Sequence, residues 1–347
     1  MKKLATVLMI CATLTACGGG GGGSQNSNNN SDRPSVALTT QNYEAAATEA
    51  MASSSTLSGN SSNASSFLLG ANVQTAPTIT EFVQSKLPNL IKSLSAQEPQ
   101  LIGAIITDTQ SCTSGGSLSM SWDDVNGNKL PDPGDYVTVS ANNCVDAVSG
   151  AKINGQMTIT YTKYIKNSAN PDAFDASLVV QSDQFRSEIN GVTTATQGSF
   201  DMDISSTYML EGNGKTEQSM KLIIRASSLN YSVTTAGTTK VYEYRDYLLE
   251  STTYKNQVTQ SIKGSINIPS LGSNTATIQT IKGFVSPVTS NFSSLSYPTD
   301  GIALITFKQG GKIRATANGT SNALIELDQE NDGNFETSKQ VPWSDIL

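Results

Sequence analysis

Two stretches of the chain carry oxygen-bearing side chains at alternating positions. The first, Asp124-Val125-Asn126-Gly127-Asn128-Lys129-Leu130-Pro131-Asp132-Pro133-Gly134-Asp135, puts Asp124, Asn126, Asn128, Asp132 and Asp135 at positions 1, 3, 5, 9 and 12 of a twelve-residue frame, with the Leu130 carbonyl at position 7. The second, Asp328-Gln329-Glu330-Asn331-Asp332-Gly333-Asn334-Phe335-Glu336, puts Asp328, Glu330, Asp332 and Glu336 in a shorter frame of the same kind. Ca²⁺ takes roughly six to eight oxygens, and a tight loop supplies them from alternate residues that turn inward. The same Asp, Asn and Gly content also suits a plain polar β-turn, in which short side chains bond their own backbone. On sequence alone both readings stand.

The first stretch resembles the Asp-x-Asn-Gly-Asp-Gly loops of dockerin-type modules. It has Lys129 where such a loop has glycine, two prolines in its second half, and no pair of flanking helices. The second resembles the short Asp-x-Asp-x-Asp-Gly-x-x-Asp calcium loop found between strands of integrin-type propeller blades, with Glu330 and Glu336 as acidic substitutes. That likeness covers nine residues and implies no propeller. Both resemblances imply a structural Ca²⁺ ion, not a catalytic one.

Other chemistry is narrowed by what the chain lacks. Histidine is absent from all 347 residues, which removes Ser-His-Asp and Cys-His catalysis and every histidine metal site. A carboxylate-pair glycosidase or a Ser-Lys enzyme survives that filter, but no Ser-x-x-Lys with companion motifs is present. The expectation is a protein that is not an enzyme: a binding or structural protein with a protein or glycan partner. The alternatives are a carrier of an apolar ligand and a carbohydrate-active enzyme, for which Trp122 and Trp343 could stack on sugars.

Met1-Lys2-Lys3, the apolar run Leu4 to Leu14 and the small residues before Cys17 have the grammar of a signal peptide. The run is shorter than the roughly 20 residues a membrane span needs. Leu14-Thr15-Ala16-Cys17 resembles the bacterial lipobox, Leu-x-Ala/Gly-Cys, which implies cleavage before Cys17, acylation of its thiol with palmitate-type chains, and a membrane held through that anchor. Asp after the cysteine marks inner-membrane retention in that family. Gly18 stands there instead, so the resemblance implies a cell-envelope lipoprotein at the outer membrane rather than the inner. The chain as a whole resembles proteobacterial lipoproteins with acidic Asp-x-Asn-Gly loops followed by Gly-Asp and a cysteine-bearing strand, and that likeness names no body family.

Gly18 to Gly23 and the Ser/Asn run after it read as a flexible tether. Without Lys2 and Lys3 the basic residues number 22 − 2 = 20 against 29 acidic ones, a net charge of −9 that argues against nucleic acid or anionic lipid as a partner. Cys11 leaves with the signal, so Cys112 and Cys144 remain as two thiols in an oxidising compartment, and a disulfide is expected.

The expected division is signal peptide 1–16, tether 17–39, helical segment 40–100, disulfide-containing β body 101–286 and C-terminal hairpins 287–347. Thr40 to Met51 reads as an Ala-rich helix. Thr78 to Leu94 reads as an amphipathic one, with Thr78 and Glu81 in capping-box spacing and Pro88 as a kink. After Pro99, period-two patterns such as Phe200, Met202 and Ile204 mark strands. Asn-Gly pairs at 154–155, 190–191, 213–214 and 318–319 mark hairpin turns, 190–191 most clearly. Candidate strands longer than ten residues, 151–166 and 239–254, favour a mainly β fold: an antiparallel meander, as a curved sheet or open barrel, covered by one or two N-terminal helices.

Overall fold

The computed structural model describes residues 34–55, 105–112, 114–145, 150–166, 173–210, 216–255, 257–272, 274–287 and 297–346. Fourteen strands run β1 (Ile105–Ser111), β2 (Ser117–Asp123), β3 (Tyr136–Val145), β4 (Lys152–Lys166), β5 (Phe174–Ile189), β6 (Val192–Leu210) and β7 (Thr216–Thr235), then β8 (Thr238–Tyr254), β9 (Gln257–Asn267), β10 (Thr275–Pro287), β11 (Asp300–Phe307), β12 (Lys312–Ala317), β13 (Asn322–Asp328) and β14 (Thr337–Pro342). Each pairs antiparallel with its neighbour in the chain, giving one sheet in strict sequence order. The fold is the expected antiparallel meander, and the C-terminal hairpins continue the same sheet through the β10–β11 pairing.

Alternation builds this sheet. In β11, Gly301, Ala303, Ile305 and Phe307 are buried while the residues between them are half-exposed, and the same parity recurs across β12 and β13. Since side chains alternate faces with period two, the strands from β2 to β14 each turn buried side chains toward a shared core, whereas β1 has none among its described side chains. That core is a single cluster reaching from Met120 and Trp122 on β2 to Val341 on β14. The longest strands, β6 with 19 residues and β7 with 20, break register between Gly198 and Asp201. Such irregularities bend a strand and increase its twist.

The turns sort the Asn-Gly signals. Asn190 (φ +50°) and Gly191 (φ +77°) form the two-residue turn between β5 and β6, because both accept the positive φ of a type I′ turn. Asn154-Gly155 is not a turn. It lies inside β4 at a register shift, with Gly155 at φ +104°, and the Asn154 side chain accepts the Asn143 N–H at 2.7 Å. Asn318-Gly319 opens the longer β12–β13 connection, and Asn213-Gly214 lies outside the described residues.

Helix α1 (Tyr43–Ser55) starts three residues after the expected Thr40. Asn42 ahead of it accepts the Thr39 N–H at 2.8 Å through its side chain. Ala46, Ala47 and Ala50 are fully buried, and their small side chains let the helix lie close against β9, β12, β13 and a C-terminal helix α2 (Trp343–Ile346). The expected helix at Thr78–Leu94 lies outside the described residues. Among the described residues, no helix is long and apolar enough to cross a membrane.

Connections alternate between two ends of the sheet. The first acidic stretch joins β2 to β3 at one end, here the upper, together with the β4–β5, β6–β7, β8–β9, β10–β11 and β12–β13 connections. The second joins β13 to β14 at the lower end. Pro34–Leu38 also lies at the lower end: the Val36 N–H donates to Leu271 O at 3.0 Å, and Leu38 packs at Gly311 in the β11–β12 turn.

Candidate metal centre

The first acidic turn is held together by its own aspartates. Asp124, 3 % exposed, accepts the N–H groups of Gly127 at 2.8 Å and Lys129 at 2.7 Å. Asp135, fully buried, accepts those of Val125 at 3.0 Å and Asp132 at 2.9 Å. Lys129 adopts φ +62°, the left-handed conformation for which a glycine would be expected there. The side-chain oxygens of Asn126 and Asn128 accept the N–H groups of Asn128 at 3.0 Å and Leu130 at 2.7 Å, while both amide nitrogens donate to Asp132. The Leu130 side chain is exposed. Asp124, Asn126, Asn128 and Asp135 thus direct oxygens at backbone donors, and Asp132 is satisfied by amides. Burial raises the Asp135 pKa above the ordinary 3.8, and the charges of Asp124 and Asp132 add to this against the pull of the two backbone N–H groups.

The second turn starts the same way. Asp328, fully buried, accepts the N–H groups of Asp332 at 3.1 Å and Gly333 at 2.9 Å. Asn331 (φ +62°) and Gly333 (φ +95°) make the tight bend. Glu336 accepts the Gln329 N–H at 3.1 Å, and its own N–H donates to Leu327 O at 2.9 Å. Here three acids converge: one carboxylate oxygen each from Asp328, Asp332 and Glu336 lies within 4.8 Å of the others, the one such group of three among the described residues. Glu330 is exposed and stands outside it. Hydrogen bonds from Asn334, backbone first and side-chain amide second, hold the Asp332 pKa below 3.8. Three converging anions can take up a hard cation. Completing the six to eight oxygens of Ca²⁺ would fall to carbonyls and water.

Cys112 and Cys144 form the expected disulfide, with Cα atoms 5.3 Å apart and a sequence separation of 32. It closes the lower end of the β2–β3 hairpin, whose upper tip is the first acidic turn. A closed loop of that size corresponds to roughly 3.5–4 kcal/mol in the chain-entropy description. Cys17 lies outside the described residues.

Sequence reasoning passed over one polar cluster. Glu49 of α1, 7 % exposed, accepts hydrogen bonds from Lys240 Nζ at 2.9 Å, Tyr242 OH at 3.0 Å and the Ser270 N–H at 3.0 Å. Two further tyrosine hydroxyls, Tyr244 and Tyr247, donate to the Ser53 and Ser54 carbonyls at 2.7 and 2.5 Å. These satisfy last-turn carbonyls that a helix cannot satisfy itself. Burial pushes all three phenols well above their ordinary pKa, with Glu49 adding to the shift at Tyr242. The available signal was Glu49 itself, a charge set beside Ala50 in a stripe of small residues.

Comparison with protein-family models, with curated proteins and with solved structures finds no match.

Proposed function

We propose that this chain is a lipid-anchored lipoprotein of the cell envelope, exported and acylated at Cys17 and held at the outer membrane. Its β body has a binding or structural role, and its second acidic turn holds Ca²⁺. One observation carries the non-catalytic part. Each buried carboxylate among the described residues (Glu49, Asp124, Asp135 and Asp328) accepts at least two hydrogen bonds that fix a turn or dock α1. A general acid or nucleophile needs an oxygen free to meet substrate. These oxygens serve architecture. The Cys112–Cys144 disulfide supports the compartment, because such bonds persist where the surroundings oxidise.

The test expresses the full chain beside Cys17→Ser in a bacterial host fed a palmitate analogue. The wild type is expected to carry label in the envelope fraction, and Cys17→Ser to lose the label and leave that fraction. Undiminished labelling overturns the anchor. Hydrolytic turnover on a glycoside and ester panel, abolished by a single carboxylate substitution, overturns the non-catalytic role.

A further inference from the structure

Large apolar side chains reach solvent unevenly in this molecule. Eight are exposed among the described residues, and six of these lie at the upper end: Ile105, Val125, Leu130, Ile165, Met220 and Tyr297. Ile105 opens β1 opposite Asp123. Val125 and Leu130 protrude from the first acidic turn. Ile165 ends β4, Met220 stands near the start of β7, and Tyr297 precedes β11 beside Thr299, whose N–H donates to Val285 O at 2.7 Å. The lower end has Val36 alone, and Ile281 sits at the register shift within β10.

Five separate strand ends and turns supply these six side chains, so they form scattered tips around a rim and not one contiguous patch. A protein partner rewards a contiguous, shape-matched surface, whereas a fluid apolar medium accepts separate tips without matching. The neighbours suit a lipid interface. The half-buried Tyr164 ring stacks on Phe174 with centroids 6.5 Å apart, and Lys166 and Lys221 lie at the same end, the combination of aromatic and basic side chains that settles at headgroup depth. Of the acids at this end, Asp124 and Asp135 are buried, Asp175 pairs with Lys163 and Asp300 with Lys282, while Asp123 and Asp132 are half-exposed.

The chain enters the body at the other end. Sixteen residues lie between Cys17 and Pro34, a reach of at most roughly 60 Å at full extension. The 20 residues of β7, at about 3.3 Å each, extend about 65 Å along the strand. An anchor at the lower end therefore leaves the apolar rim facing away from the bilayer that holds it.

We propose that the upper rim enters a second lipid surface, apposed to the anchoring one, so that the body bridges two bilayers. This rests on acylation at Cys17. The test reconstitutes the acylated full protein into phosphatidylcholine vesicles, first measures how much stays with them, and then adds bare, fluorescently labelled phosphatidylcholine vesicles. Recruitment of the bare vesicles is expected, and the combined Val125→Ser, Leu130→Ser, Ile165→Ser and Met220→Ser protein should lose it by on the order of tenfold or more, since each change removes a side chain that lipid would bury. Val36→Ser should recruit normally. Protein that stays in its own vesicles yet recruits none, or recruits equally after the four substitutions, overturns the rim. Clustering only between two protein-loaded populations overturns it too, and makes the rim an interface between copies. Protein that fails to stay in the first vesicles reports on the anchor instead.

Discussion

In both acidic turns the leading aspartate, Asp124 in one and Asp328 in the other, is buried and holds backbone N–H groups three to five residues ahead. The turns part company after that. In the first, the closing acid Asp135 is also fully buried and holds two further N–H groups, and the asparagine amides neutralise Asp132. In the second, Asp332 and Glu336 are exposed and one oxygen of each converges with one of Asp328, while Asn334 donates to Asp332 through its backbone N–H and its amide and the Gln329 N–H donates to Glu336. Similar spacing thus yields one turn without and one turn with three converging carboxylates. Asparagine amides serve both turns: those of Asn126 and Asn128 donate to Asp132, and that of Asn334 donates to Asp332.

The largest expected effect comes from the disulfide, which staples the hairpin carrying the first turn and has no counterpart beside the second. Cys112→Ser with Cys144→Ser should cost roughly 3.5–4 kcal/mol in urea denaturation and leave any calcium response of the second turn in place. A calcium response lost along with the disulfide would show that the two turns are coupled.

Removing a buried acid should come next. Asp135→Ala strands two N–H groups in a fully buried site and should cost about 2–4 kcal/mol, whereas Asp332→Ala, on an exposed residue, should cost under about 1 kcal/mol without calcium. Equal costs in denaturant titrations would erase the distinction between the buried acid of the first turn and the exposed one of the second.

Calcium itself sharpens the contrast. At a tenfold excess over its dissociation constant the ion adds about 1.4 kcal/mol, or a melting shift of about 3–5 °C in a body of this size. Asp332→Ala with Glu336→Ala should abolish the shift, and Asp132→Ala should not. The opposite result would move the ion to the first turn.

The smallest effect is in acid, where the two turns have opposite signs. The folded-state pKa of Asp135 lies above 3.8, so its ionisation costs stability as pH rises from about 4 through that raised value, and acidification restores it. That of Asp332 lies below 3.8. Its contribution is complete above about pH 4 and is lost as pH falls through the lowered value. Carboxyl NMR titration should place the two midpoints on opposite sides of 3.8. A shared midpoint would break the pairing.

Period-two alternation made the strands legible before any coordinates, since one buried face imposes it locally. Turn chemistry was legible only in part. Asn190-Gly191 reads correctly because its neighbours on both sides are strand-like, but Asn154-Gly155 has the same residues and is a bulge, set by the partner strand's register. The β7–β8 turn went unmarked because Ala236 (φ +49°) occupies a position usually given to asparagine. At the acidic turns the sequence showed which oxygens were near one another but not which were already bonded. The direction of an asparagine amide depends on backbone donors brought round by the turn.

The docking of α1 has a consequence for the order of assembly. Strand pairing here is strictly local, each hairpin closing a short loop, so the sheet can grow stepwise along the chain at little entropic cost. The helix cannot join until late. Its partners Tyr242 and Tyr247 lie 193 residues downstream of Glu49 and Ser54, and Lys339, which pairs with Glu44, lies 295 residues downstream. Helix α1 is therefore seated by strands far downstream of it in the chain. A chain cut short before β14 would hold most of its hairpins and the tyrosine contacts of α1, yet lack the helix's contacts with Lys339 and α2.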